Sequence, residues 1–89
     1  MLPFKEVKIL NNIFIREFSQ DTDSEEYMWH RDRENRIIEN LETTDWLIQL
    51  DNELPKVIQS QVFIPMGVYH RLIKGTGNLK IKLIKNPII

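Results

Sequence analysis

Cysteine is absent from this 89-residue chain, which excludes disulfides, zinc–thiolate sites, iron–sulfur clusters and thiol nucleophiles. Alanine is absent too, against 13 isoleucines. The best helix former is thus missing, while the commonest apolar residue is stiff at its first side-chain torsion and packs well on a pleated surface. Nowhere do about 18 apolar residues run together, so no membrane-spanning helix is expected. The opening residues, Met-Leu-Pro-Phe-Lys-Glu-Val-Lys, put charges where a secretory leader needs an unbroken apolar stretch, and the expected location is cytoplasmic. An excess of charge of one sign is lacking as well: 12 Lys and Arg against 13 Asp and Glu leave a net of -1. Such a balance gives no global reason to bind nucleic acid or an acidic membrane, and neither partner is expected. The length supports one domain over residues 1–89, with a stability on the order of 4–13 kcal/mol.

What is present reads as strands. Val7 to Leu10 and Ile13 to Phe18 flank Asn11-Asn12, a pair that tolerates positive φ and so predicts a hairpin. Ser19 to Ser24 is a polar, acidic loop. Extended segments are predicted over Glu26 to Asp32, Arg36 to Leu41, Asp45 to Leu50, Lys56 to Ile58 and Gln61 to Ile64. Pro65-Met66-Gly67 is a tight turn into Val68 to Lys74, and Gly75-Thr76-Gly77-Asn78 connects to Leu79 to Ile84. In that last stretch Leu79, Ile81 and Leu83 alternate with Lys80 and Lys82, the pattern of a half-buried strand. Glu34 to Glu42 is the one place where a helix competes; its Ile37-Ile38 pair and turn-like flanks favour strand. About nine short strands at 8–12-residue spacing predict an all-β sandwich or barrel.

Charge is unevenly placed along this pattern. Residues 17–53 hold twelve acids and three bases, and residues 54–89 hold six bases and no acid. Two explanations fit. Acidic and basic strands become neighbours and attract across their solvent faces, or Lys80, Lys82 and Lys85 point one way as a patch for a polyanion. No aromatic platform interleaves those lysines, which favours the first.

Chemistry concentrates on the only two histidines, His30 and His70. Asp32 follows His30 by two residues, so on a strand the two side chains share a face about 7 Å apart. Two imidazoles and one carboxylate from two strands make a facial set of three metal ligands with open positions, which suits non-haem Fe(II). Met28 and Trp46 are candidate ligand-binding residues. Trp46, like Trp29, can stack on a ring or fill the core. Met28 shares the predicted His30 face, where it also suits packing. Gly75-Thr76-Gly77 lies between strands rather than before a helix, which argues against a phosphate loop. Ser19, Ser24 and Ser60 carry no nucleophile signature.

These residues resemble a known family. Trp29-His30-Arg31-Asp32, the turn at Glu42-Thr43-Thr44 and, most closely, Phe63-Ile64-Pro65-Met66-Gly67-Val68-Tyr69-His70 are similar to the two motif segments of the cupin superfamily. The resemblance spans roughly residues 24–84. It implies a small double-stranded β-helix (jelly-roll) barrel, paired as a homodimer, with His30 and His70 on two of the metal-binding histidines. The departures are as specific. Asp32 stands at the second histidine of the first motif, and Arg36 at the motif's glutamate. Motif glycines fall on Ser24, Thr43 and Gln59, and the closing asparagine on Lys74. The strands from Phe4 to Phe18 precede the matched motifs and are the expected dimer edge, since an open edge needs covering.

Arg36 is the departure with the largest physical consequence. Exchanging a carboxylate for a guanidinium changes the local charge by about two units, each worth roughly 3–4 kcal/mol at 4–6 Å and an effective dielectric of about 20. That weakens a divalent cation unless Asp32 or Glu34 pairs with Arg36. Three readings stay open. His30, Asp32 and His70 hold Fe, Mn, Ni or Zn while Arg36 grips an acidic small molecule. Arg36 and the two histidines instead bind a small anion without metal. Or Arg36 pairs with Asp32 and the barrel serves structure and dimerisation alone.

Overall fold

The computed structural model describes residues 4–87. Alternation with period two governs it: six of the eight described strands turn a largely apolar face inward, and the edge strands Phe4–Leu10 and Lys56–Val57 do not. The strands are β1 (Phe4–Leu10), β2 (Ile13–Phe18), β3 (Arg36–Asn40), β4 (Leu47–Leu50), β5 (Lys56–Val57), β6 (Gln61–Ile64), β7 (His70–Ile73) and β8 (Leu79–Lys85). All pairings are antiparallel, in two sheets ordered β1-β2-β8-β3-β6 and β5-β4-β7. No helix among the described residues is long and apolar enough to cross a membrane.

The inner faces meet in one core. Phe18, Ile38, Trp46, Ile48, Ile58, Val62, Ile64, Leu72, Leu79, Ile81 and Leu83 are all buried within it. Trp46 is fully enclosed, with its indole Nε1–H donating to the Gly77 carbonyl at 3.0 Å. Gly75 sits so close below that a Cβ there would land on the Asp45 carboxylate and 2.8 Å from the Trp46 backbone nitrogen. The glycine is therefore required for close approach, not for an unusual φ.

Several expectations change. The strand predicted over Glu26 to Asp32 is not formed. Ser24 accepts a hydrogen bond from the Glu26 amide at 3.1 Å and caps a single 3-10 turn, Glu25–Tyr27, after which only His30 makes a β-bridge. A local serine cap outcompetes strand pairing here because it satisfies backbone donors at once. The Glu34 to Glu42 segment is strand at its centre, β3, as its paired isoleucines favoured. The predicted starts at Asp45 and Val68 shift inward to Leu47 and His70. Acidic and basic strands do become neighbours: β8 lies between β2 and β3, with Glu17 opposite Lys80 and Glu39 opposite Lys82. Lys85 does not join the other two lysines and instead lies over the Phe14 ring, 4.9 Å from its centroid.

Two features position the histidines. The Pro65-Met66-Gly67 turn, with Gly67 at φ 80°, is tied back by Gly67 N–H to the Asp32 carbonyl at 3.0 Å and by Met66 N–H to the Asn35 side chain at 2.7 Å. His30 and His70 exchange both main-chain hydrogen bonds, at 3.1 and 2.8 Å. The histidines are thus brought together by backbone pairing.

Candidate metal centre

Each imidazole is oriented by its own neighbourhood. His30 Nδ1 lies 2.8 Å from the Met28 carbonyl and His70 Nδ1 2.8 Å from the Val68 carbonyl. A carbonyl only accepts, so both Nδ1 atoms carry hydrogen, and in the neutral ring the lone pair is on Nε2. The two rings meet edge to face with centroids 4.3 Å apart. Asp32 completes the group: one ligand atom from each of His30, Asp32 and His70 lies within 4.8 Å of the others.

The surrounding charges come from several segments of the chain. Asp32 Oδ2 is 3.2 Å from His70 Nε2 and 3.4 Å from Arg36 Nε, and Arg36 Nη2 reaches Glu34 at 3.3 Å. On the other side Glu26 Oε2 is 2.7 Å from His30 Nε2, while its second oxygen faces Arg16 Nη1 at 3.5 Å. Arg16, on the inner face of β2, also pairs with Glu6 and lies over the Phe4 ring. Glu6, Glu26, Asp32 and Glu34 thus face Arg16 and Arg36, two negative charges in excess when the imidazoles are neutral. Arg36 is matched within the protein by both Asp32 and Glu34, so its charge does not stand alone against a cation.

Titration follows this layout. Burial pushes the Glu26 carboxyl up, but the contact with His30 and the charges of His30 and Arg16 outweigh it and hold it below the usual range. Burial likewise opposes charge on Asp32, and contact with His70 together with the Arg36 guanidinium overrides it, lowering the carboxyl. For His30, burial disfavours the charged ring, yet Glu26 and the Met28 carbonyl raise it above its ordinary value.

Three atoms at the centre, His30 Nε2, Asp32 Oδ2 and Arg36 Nε, are buried without a hydrogen-bond partner among the described residues. Each nonetheless lies within 3.4 Å of an ion-pair partner named above. Buried, unsatisfied polar atoms call for an explanation, and an ion between lone pairs is one. In the neutral rings two Nε2 lone pairs, together with a carboxylate oxygen, fit a divalent metal.

The interior beside these groups is small. A cavity of about 30 Å³, lined by Arg16, Glu26, Arg36 and His70 among apolar side chains, has room for about two or three waters. An organic molecule does not fit there. A larger open groove of about 790 Å³ lies outside, over Phe4, Asp23, Glu25, Glu26, Tyr27 and Met28.

The predicted site residues therefore separate. His30, Asp32, His70 and Arg36 come together, with His70 and Arg36 opening β7 and β3 but His30 on an isolated bridge and Asp32 between strands rather than on a shared strand face. Met28 is 67% exposed and lines the outer groove, so it fills no gap beside His30. Trp46 has no exposed surface and belongs to the core; it offers nothing to a ligand. Glu26 and Arg16 were not singled out by their types. The signals for them are local: Ser24-x-Glu26 is a capped turn that sets Glu26 four residues before His30, and Arg16 alternates with Phe14 and Phe18 on one strand face.

No family model matches the sequence, and no curated protein matches it. Solved structures match by shape. Over 84% of this chain, one described as of DMSP lyases superposes with a TM-score of 0.70 at 14% identity, and an HppE structure with Co(II) and Tris buffer gives 0.69 over 96% at 15% identity. The chain spans 37% and 54% of the length of those two. An RmlC-like cupin family protein with a double-stranded β-helix fold from Methanocaldococcus jannaschii gives 0.68 at 11% identity, over 94% of this chain and 78% of that one. Two antiparallel sheets closed over one core, and these superpositions, give the chain the cupin fold.

Proposed function

We propose that this chain is a small cupin-fold module that holds one divalent ion, Fe, Mn, Ni or Zn, with His30 Nε2, Asp32 and His70 Nε2, and receives a small-molecule ligand from the outer groove. The observation that carries the reading is the convergence of one ligand atom each from His30, Asp32 and His70 within 4.8 Å of one another, with both Nδ1 atoms tied to carbonyls. The excess of carboxylate over guanidinium favours a cation over an anion at this point. HppE, among the neighbours in shape, is described with Co(II) and with Fe(II), in keeping with this reading. A bound ion of this kind polarises an oxygen-rich ligand as a Lewis acid. Arg36 orients Asp32, Glu34 steadies Arg36, and the apolar walls limit the inner cavity to about two or three waters. Metal analysis of purified protein is expected to give one equivalent, absent from His70→Ala. Adding ion to a hundred times its Kd stabilises a fold by about 2.7 kcal/mol, here a melting temperature higher by roughly 10–20 °C. Metal-free protein whose melting temperature no divalent ion raises would overturn the reading.

A second proposal concerns assembly. β1 is an edge strand, and Val7, Ile9 and Leu10 on it are each more than half exposed. An apolar open edge is a template for pairing, and we infer that two copies pair along it as a homodimer. Light scattering at tens of micromolar is expected to give twice the chain mass, and Val7→Lys to halve it. A wild-type monomer at that concentration sinks the idea.

A further inference from the structure

We infer that Glu26, which lies in the first motif segment but at none of its ligand positions, is the fourth ligand of this metal centre and supplies the carboxylate that Arg36 displaced. The inference rests on the metal reading above and extends it to a residue that no family position predicts.

Glu26 touches one particular atom. Its Oε2 lies 2.7 Å from His30 Nε2, the nitrogen left as acceptor once Nδ1 donates to Met28. A carboxylate oxygen and a ring lone pair at that distance repel unless a cation lies between them, either a proton or a metal ion. The chain is built to keep Glu26 there. The Ser24 cap fixes its backbone, and Arg16 Nη1 faces its other oxygen at 3.5 Å. Arg16 is itself held by Glu6 and by the Phe4 ring. In metal sites, partners of this kind behind a ligating carboxylate orient it and leave one oxygen for the ion.

Placement explains why the ligand moved. At the motif's glutamate position Arg36 points into the same small cavity and is matched by Asp32 and Glu34. The carboxylate therefore has to enter from elsewhere. The 3-10 turn at Glu25–Tyr27 brings it from the opposite side, beside His30. Glu26 also lines both the inner cavity and the outer groove. A ligand entering from the groove would therefore pass Glu26 on its way to an ion held here.

The test uses Co(II) alone, titrated into chelator-treated full-length protein and followed by calorimetry and visible d–d absorption. Glu26→Gln is expected to weaken Co(II) binding by about tenfold to a hundredfold and to change the absorption band. Glu53→Gln, in the exposed turn after β4 where it faces Lys56, is expected to stay within about threefold of wild type. Wild-type affinity and spectrum in a folded Glu26→Gln, with binding still lost in His70→Ala, overturn the fourth ligand and leave the three-residue site standing. A wild type that takes up no Co(II) overturns the metal reading instead. Should Glu26→Gln fail to fold, crystals of the wild type grown with Co(II) decide the matter. A Glu26 oxygen at about 2.0–2.2 Å from the ion supports the assignment, and one beyond about 3 Å ends it.

Discussion

Trp46→Ala is expected to cost about 3–5 kcal/mol, which for a chain of 89 residues is a large share of the whole stability. Trp46 is the largest of the fully buried side chains. Its ring packs beside Tyr27 with centroids 5.7 Å apart, and its Nε1–H closes the Gly75 to Gly77 turn onto β4. Truncation removes the area burial, leaves a cavity and strands the Gly77 carbonyl. Trp46→Phe keeps most of the volume and loses the hydrogen bond, an expected cost of about 1–2 kcal/mol. Urea unfolding checks both: the midpoints should fall in that order with little change in slope. A Trp46→Ala midpoint equal to wild type would show that some other set of contacts holds the fold.

Asp32→Ala should be nearly as damaging, for an electrostatic reason. Asp32 faces His70 and Arg36, and the side chains of Asp32 and Arg36 are each close to nine-tenths buried. Removing one partner leaves a guanidinium with uncompensated charge, which in buried pairs costs about 3–5 kcal/mol. Glu34 still contacts Arg36, so the expected loss is at the low end, about 3 kcal/mol. The double change Asp32→Ala with Arg36→Met is expected to recover most of it, because an apolar replacement of a whole pair is often neutral or better. Metal uptake should stay lost in both variants, which separates stability from binding. If Asp32→Ala costs under about 1 kcal/mol, the pair behaves as a solvated surface contact and the buried-centre description fails.

Much of the strand pattern was legible because alternation is a strong local signal. Leu79, Ile81 and Leu83 against Lys80 and Lys82 specify a strand and its face without help from the rest of the chain, and β8 takes that form. Pro65-Met66-Gly67 is legible for the same reason, a fixed φ followed by a residue free to take φ 80°. The segment from Glu26 to Asp32 was misread because its alternation competes with a serine cap worth more locally. Trp46 shows another limit: a tryptophan's type does not say whether it lines a mouth or fills a core, and only the closing of two sheets decides it. The two histidines and Asp32 were legible as chemistry by type alone. Glu26 was not, because in an acidic stretch its function depends on a main-chain turn that brings one carboxylate of many onto a ring nitrogen.

The His30–His70 bridge has a mechanical consequence. Between β2 and β3 the chain runs from Ser19 to Asn35 with one short turn and a single rung of sheet pairing, and that rung is this bridge. Apart from main-chain bonds at Asp32 and Asn35, the segment is fastened elsewhere by side chains alone, so its acidic tip and the imidazole travel together whenever the rung opens. Amide protons at His30 and His70 should then exchange with solvent at one shared rate, slowed by whatever fastens the rung.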